Sequence, residues 1–347
     1  MRSAFLTGPR TIELREVLEP AVPPDGLVLE MKACGICGSD LRRWQEGPPA
    51  GTPHLVQGHE LAGVVREVGR QVTQFQKGDR LAVAPDIHCG ACYYCRRDLF
   101  NLCTNLRLLG ITPGLEGGLS EQVLLSADLL RNGIVHRMPE GLSFPEGGLA
   151  ETLSSVLASH HQCRTSVGET VVVMGAGPVG CLHVAVAQAR GARAIVAEPN
   201  PIRRRASEKF APDAIIDVTQ QDVVAEVKRL TDGLGADIVI CANPVAATQT
   251  QAVEMARRAG RIVLFGGLPR TSPMASLNAN LIHYGELRVM GAFSYHPRFH
   301  EEALRTLVRK VIQAEQFITH TRPLSQVAEA FQIAASGDAL KVMVQPD

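Results

Sequence analysis

Hydrophobic and polar positions change their rhythm once along this chain, near Glu146. Before it, short apolar runs such as Val28 to Met31, Ala62 to Val68, Leu81 to Ala84 and Gln122 to Leu125 alternate with Gly, Pro and Asp-Gly punctuation. Runs of that length between turn residues predict strands. Pro20, Pro23 and Pro24 exclude a helix there, because proline removes the N–H that a helix interior needs. This half therefore predicts a small barrel or sandwich. After Glu146 the strands Val171 to Met174, Ala194 to Ala197, Ala214 to Ile216, Ile238 to Ile240 and Arg261 to Phe265 are expected. Between them fall the helices Pro178 to Arg190, Ile202 to Lys209, Asp222 to Arg229 and Val245 to Arg258. Strands alternating with helices predict a parallel sheet covered on both faces. Leu287 to Val289 closes that sheet. Helices over His300 to Ala314 and Leu324 to Ser336 then lead to a last strand, Leu340 to Val344, expected to return to the first domain.

Composition narrows the class. A chain of 347 residues has room for two domains, and 45% hydrophobic with 20% charged residues is the balance of a globular protein. A formal net charge of zero supplies no global field for nucleic acid or an anionic membrane, so neither is expected as a partner. Met1 to Thr7 is too short for a signal peptide, and no apolar run approaches the ~20 residues of a spanning helix. A cytoplasmic location is the default expectation. Four of the nine cysteines form one tight cluster, which favours metal over disulfides.

That cluster, Cys89, Cys92, Cys95 and Cys103, has the spacing C-x2-C-x2-C-x7-C, with Gly90 allowing a tight turn. Four thiolates on one lobe predict a closed tetrahedral zinc site of the structural type. A ferredoxin-like iron–sulfur cluster opens with the same three cysteines. It would place the fourth after three residues and follow it with proline, whereas Thr104 follows here. Arg96, Arg97 and Arg107 are too few for a phosphate track, so a nucleic-acid lobe is not expected.

Gly175-Ala176-Gly177-Pro178-Val179-Gly180 is a G-x-G-x-x-G between an expected strand and an expected helix. In that context it predicts a dinucleotide site, with the pyrophosphate at the helix N-terminus. Gly175 allows the turn, Gly177 admits the pyrophosphate, and Gly180 lets helix and strand approach. Glu198 follows at the end of the next strand, where an acid accepts from ribose hydroxyls and repels a 2′-phosphate. NAD is therefore expected over NADP. Arg203-Arg204-Arg205 could in principle bind that phosphate, and Arg203 is expected near the adenine.

A third group lies in Gly35-Ile36-Cys37-Gly38-Ser39-Asp40 and Gly58-His59-Glu60. A thiolate, an imidazole and a carboxylate on glycine-flanked turns suit a zinc ion with an open position. Cys34, Cys163, Cys181 and Cys241 read as buried core thiols. His160-His161 read as a helix end facing solvent.

Together these motifs, in this order, resemble the zinc-dependent medium-chain dehydrogenases over essentially the whole chain. Glu60 after His59 and Ala150-Glu151-Thr152-Leu153-Ser154 resemble the sorbitol and polyol branch. The resemblance implies an α/β protein: a GroES-like β domain (residues 1–150 and 292–347, with a zinc lobe over about 86–106) and a doubly wound Rossmann domain (151–291), the active site lying in the cleft between them. It implies two zinc ions per chain and NAD. Cys37 and His59 would hold the catalytic zinc, with either Glu60 or Glu151 completing the set. Ser39 would take the proton of the alcohol, and Asp40 would fix the His59 tautomer.

The same resemblance places Trp44 and Tyr295 at the substrate pocket, a core or interface position being the alternative for Trp44, and Phe293, within Gly291-Ala292-Phe293-Ser294-Tyr295, beside the nicotinamide. Gly266-Gly267-Leu268 would offer backbone groups to its carboxamide. The segment Leu287 to Ala292 would pair copies into dimers, which often form tetramers. Three positions depart from the branch. Arg42 stands where a relay histidine is frequent, Ser294 replaces a common arginine, and Glu151-Thr152-Leu153 replaces the usual Glu-Pro-Leu, a change expected to matter little because the acid is kept. The expected activity is hydride transfer between a secondary alcohol of a polyol, sugar or cyclitol and NAD. A threonine-type amino-alcohol dehydrogenase and a non-catalytic zinc- and nucleotide-binding protein are the alternatives.

Overall fold

The computed structural model describes all residues, Met1–Asp347. They form two compact units, Met1–Ser154 with Tyr295–Asp347, and Ser155–Ser294.

The first unit opens with β1 (Arg2–Gly8), β2 (Thr11–Glu16), β3 (Leu27–Gly35), α1 (Gly38–Glu46), β4 (Leu55–Val56), β5 (Glu60–Val68) and β6 (Arg80–Ile87). Then follow β7 (Arg107–Leu108), β8 (Gln122–Leu125), α2 (Ala127–Asn132), β9 (Gly133–Arg137) and α3 (Phe144–Gln162), the helix in which the division between units falls. The second unit contains β10 (Thr170–Met174), α4 (Pro178–Ala189), β11 (Arg193–Ala197), α5 (Pro201–Ser207), β12 (Ala214–Ile216) and α6 (Val223–Leu230). It continues through β13 (Ala236–Cys241), α7 (Ala246–Met255), β14 (Ala256–Leu264), α8 (Ala279–Gly285) and β15 (Arg288–Gly291). The chain returns to the first unit with α9 (Arg298–Val308), β16 (Ile318–Pro323), α10 (Val327–Ser336) and β17 (Lys341–Gln345).

In the first unit a sheet runs β16-β17-β3-β5-β6-β7, with β8 added on β3 and β9 on β6, beside a smaller sheet β2-β1-β4. Its core gathers Leu27, Leu29, Met31, Leu61, Leu81 and Phe331, all fully buried. The second unit is a sheet of order β12-β11-β10-β13-β14-β15, parallel throughout. That order reverses direction between β10 and β13, the switch point at which doubly wound sheets bind ligands. No helix is long and apolar enough to cross a membrane.

Several elements differ from the sequence reading, among them the 19-residue α3, which it did not include. The helix expected over Val245 to Arg258 ends at Met255, because Ala256 already begins β14 and pairs with Ala236. The helix expected over His300 to Ala314 stops at Val308. Short α1 follows Cys37, and its nine residues, mostly polar, carry too few apolar positions to reveal it.

Candidate metal centre and active site

Cys37 caps the N-terminus of α1 and is held there by its own backbone N–H, which donates to Asp40 Oδ2 at 2.9 Å. His59 and Glu60 arrive at the start of β5 after Gly58, whose φ of 99° belongs to the left-handed region. A side chain at Gly58 would also strike the Cys34 sulfur. The register pairs Gly35 of β3 with Glu60 of β5, and a Cβ on Gly35 would fall 2.0 Å from Glu60 Oε2. The glycines thus clear the space that the carboxylate fills. The donor atoms of Cys37, His59 and Glu60 lie within 4.8 Å of one another. A thiol, an imidazole and a carboxylate at that spacing fit a zinc ion.

Asp40 lies behind His59, both buried, with Oδ1 3.3 Å from His59 Nδ1, an ion-pair contact whose geometry falls short of a hydrogen bond. Burial pulls the His59 imidazole down, but the Asp40 carboxylate outweighs it and holds the group well above its ordinary value. Ser39 Oγ is 3.4 Å from His59 Nε2.

The two acids left open by the sequence occupy different surroundings. Glu60 is fully buried and bound to the buried Lys341, whose Nζ donates to Oε1 at 2.6 Å and Oε2 at 2.8 Å. Thr152 adds a bond from Oγ1 to Oε1 at 2.7 Å. Removing one partner from such a buried pair costs about 3–5 kcal/mol. Glu151 instead accepts from the Tyr295 hydroxyl at 3.1 Å. Burial first, and the nearby Glu60 charge, push Glu151 up to about 7, against the pull of His59 and Lys341. Burial and then the Glu151 charge raise the Tyr295 hydroxyl well above its usual range.

Sequence reasoning missed three residues here. Lys341 was visible only as a lone cation in the apolar run Leu340 to Val344, a pattern that implies a buried acid opposite it. Thr152 stands where the branch has proline, and its hydroxyl supplies a bond to Glu60 that proline has no group to make. Gln57, fully buried, donates through Nε2 to the Asp40 carbonyl at 3.1 Å and to Oδ1 at 3.4 Å. Nothing in the sequence marks it. Trp44 packs in the core of the first unit against Phe331, with the Arg10 guanidinium over its ring. Arg42 is exposed.

The cysteine lobe brings Cys89, Cys92, Cys95 and Cys103 together, with sulfur separations of 3.5 Å for Cys92–Cys95 and 4.0 Å for Cys89–Cys95. A disulfide needs about 2.05 Å, and all nine cysteines are free. Zinc–sulfur bonds of about 2.3 Å in a tetrahedron set sulfurs about 3.8 Å apart, which these separations bracket. Backbone N–H groups of Cys89 and Asn105 donate to the Cys103 sulfur, and that of Cys95 to the Cys92 sulfur. Backbone donors from Cys95 and Thr104 pull the Cys92 thiol down to about 5. Burial, then the Cys92 neighbour, push Cys95 up to about 12.

In the second unit Gly175, at φ 113°, turns the chain from β10 into α4, with Pro178 and Val179 in the first turn. A Cβ on Gly180 would fall 2.0 Å from the Gly175 carbonyl oxygen, whereas Gly177 faces open space. Glu198 is buried at the end of β11 and accepts from the backbone N–H of Ala176 and of Asn200, each at 2.8 Å. It braces the glycine loop. Arg204 is tied to Asp217 at 2.6 Å and to the Glu198 carbonyl, so it is not a free cation, while Arg203 is half-buried beside it. Leu268 is half-buried after β14, and Phe293 is exposed after β15. His160 corrects the solvent-facing expectation. It is fully buried and bonds Thr165 Oγ1 at 2.7 Å and His183 Nδ1 at 3.2 Å. His161 alone is exposed. Cys34, Cys163, Cys181 and Cys241 are all buried.

A candidate mixed-donor metal site in a β unit, a four-thiol lobe and a doubly wound unit with a glycine-rich nucleotide motif are the parts a metal-dependent dehydrogenase needs. The family described as "Alcohol dehydrogenase GroES-like domain" matches residues 23–140, and "Zinc-binding dehydrogenase" matches 178–310. Sorbitol dehydrogenase of Bacillus subtilis (strain 168) is 31% identical, covering 100% of this chain and 98% of that protein. The structure of alcohol dehydrogenase TADH from Thermus sp. ATN1 superposes with a TM-score of 0.90 at 28% identity, covering 100% of both chains. That of 2R,3R-butanediol dehydrogenase from Bacillus subtilis gives 0.89 at 27% identity, covering 100% of this chain and 99% of that one. The chain belongs to the zinc-binding alcohol dehydrogenase family and is an oxidoreductase of that class.

Proposed function

We propose that this chain is a zinc- and NAD-dependent dehydrogenase that interconverts a secondary alcohol of a polyol, sugar or cyclitol with its ketone. The convergence of the Cys37, His59 and Glu60 donor atoms within 4.8 Å carries this reading. Cys37, His59 and one of the two acids hold the catalytic zinc, and Cys89, Cys92, Cys95 and Cys103 hold a second, structural ion. When bound at the mixed site, zinc supplies Lewis acidity toward a substrate hydroxyl.

The chain's own residues do the rest. Ser39, with Oγ 3.4 Å from His59 Nε2, accepts a hydrogen bond from the substrate hydroxyl and orients it. Asp40 orients the imidazole from behind. Glu151 and Tyr295, already bonded to each other, offer a carboxylate and a phenol to neighbouring substrate hydroxyls. Hard oxygen chemistry of this kind favours a vicinal diol. The α4 N-terminus, with Gly177 facing open space, receives the pyrophosphate, and the Glu198 carboxylate disfavours a further phosphate on the ribose. The sorbitol and butanediol dehydrogenases among its relatives support a diol or polyol substrate.

One edge of β15 has no partner strand, and copies of the chain pair there into dimers. Light scattering on the purified protein measures that assembly. The activity is tested by NADH absorbance across sugar alcohols, inositols, aldoses, butanediols and threonine. Turnover of a polyol with NAD supports the proposal. Turnover confined to threonine, or to NADP, refutes the corresponding part, and one zinc per chain with no turnover refutes the whole.

A further inference from the structure

The hydrogen-bonding capacity of Glu60 is almost used up before any metal arrives. A carboxylate offers about four lone-pair positions. Lys341 Nζ occupies one on each oxygen, at 2.6 and 2.8 Å, and Thr152 Oγ1 occupies a second on Oε1 at 2.7 Å. The position left to a metal is on Oε2, an oxygen already polarised by a cation. The ammonium is anchored in turn, with the Ile36 carbonyl oxygen at 3.4 Å and Thr152 Oγ1 at 3.3 Å. Strand register makes this arrangement. Met343 and Val344 of β17 pair with Gly35 and Cys34 of β3, and Gly35 pairs with Glu60 of β5. The lysine, the acid and the Cys37 loop therefore meet on three adjoining segments, with Lys341 and Glu60 buried and Cys37 half-buried.

We infer that Lys341, assisted by Thr152, is a positioning residue that restrains Glu60 from full donation to the catalytic metal, leaving the ion less tightly held and more electron-poor. A neutralised Glu60 adds little negative charge to a site that already has the Cys37 sulfur. Freed of its lysine, the same carboxylate would be a strong competing donor. The inference rests on the metal site proposed above. Its sign is unusual, since removing the clamp strengthens metal binding while it weakens catalysis.

The test is the rate at which a chromogenic chelator withdraws zinc from the zinc-loaded protein, with Cys37→Ser marking the contribution of the cysteine lobe. Lys341→Met is expected to release the catalytic ion roughly ten- to hundredfold more slowly, the range in which neighbours of metal ligands act, and to turn over more slowly. Lys341→Arg, which keeps the charge, should stay near the wild-type rate. Thr152→Val removes one bond without stranding a charge and should shift release the same way by a smaller factor. It decides the matter if Lys341→Met does not fold. Zinc release that is unchanged or faster in folded Lys341→Met, or in Thr152→Val when that variant alone folds, overturns the inference, because mere loosening of the site speeds release. Slowed release with no alcohol oxidised by any variant leaves the clamp standing and sinks the dehydrogenase reading. Turnover with unaltered release does the reverse.

Discussion

Cys89, Cys92, Cys95 and Cys103 come from one short stretch of chain, whereas Cys37, His59 and Glu60 are delivered by a helix terminus and the edge of a strand, with Lys341 arriving from the far end of the sequence. The lobe satisfies its sulfurs with its own backbone N–H groups, and its donors are all of one kind. The mixed site is wired outward instead: Asp40 and Gln57 stand behind His59, and Thr152 and Lys341 behind Glu60. A closed set of four thiolates suits a permanent ion that braces a fold, while a site with three donors and charged neighbours suits chemistry. The two regions differ in what a change to them should cost.

Cys37→Ser tests the contrast most severely. It should abolish turnover while NAD affinity, measured by NADH fluorescence titration, stays within about twofold, because the glycine motif belongs to the other unit. Unchanged turnover would refute the assignment of the mixed site. Cys95→Ser should act in the opposite sense. One zinc per chain is lost by elemental analysis and the melting temperature falls, since structural zinc contributes directly to folding. A variant as stable as wild type would show that the lobe braces nothing.

Mild chelation should distinguish the two ions without mutation. The ion at the mixed site should leave first, with turnover lost and restored by added zinc, while the lobe keeps its own. Simultaneous loss of both would erase the distinction. Asp40→Asn should weaken zinc at the mixed site by about 10–100-fold and leave the lobe unaffected, as seen by competitive chelation.

The last test is a control that involves no candidate metal ligand. Burial pushes His183, in the second unit, down to about 3. Below about pH 6.5 the unfolded chain binds a proton that the folded chain refuses, so stability falls as the pH drops toward 3. The slope approaches about 1.4 kcal/mol per pH unit for one imidazole. His183→Leu should flatten that slope in acid denaturation curves while zinc release from either centre stays as in wild type. An equal slope in the variant would move the acid sensitivity elsewhere.

Much of this was legible in the residues alone, and the reason is locality. The C-x2-C-x2-C-x7-C spacing closes a site within a few turns of chain, and G-x-G-x-x-G between an apolar strand and a helix needs only its immediate neighbours to form. The strand and helix alternation after Glu146 follows from side-chain periodicity, which is likewise local. Even the error over Val245 to Arg258 was one of boundary, where the pull of strand pairing on Ala256 outcompeted helix propensity.

What the tertiary structure alone decided lies in contacts between distant segments. His160 looked like the end of a helix, yet α4 brings His183 against it and buries both. Glu60 and Glu151 were equivalent candidates on the page of letters. Only the register of β17 on β3 and of β3 on β5 assigned a lysine to one and left the other to a tyrosine hydroxyl. Residue identity determined which groups could bind a metal or a nucleotide. Which of them carry a proton, a counter-charge or a free lone pair depends on what lies within a few ångströms, and in a folded chain that is set by packing rather than by proximity in sequence.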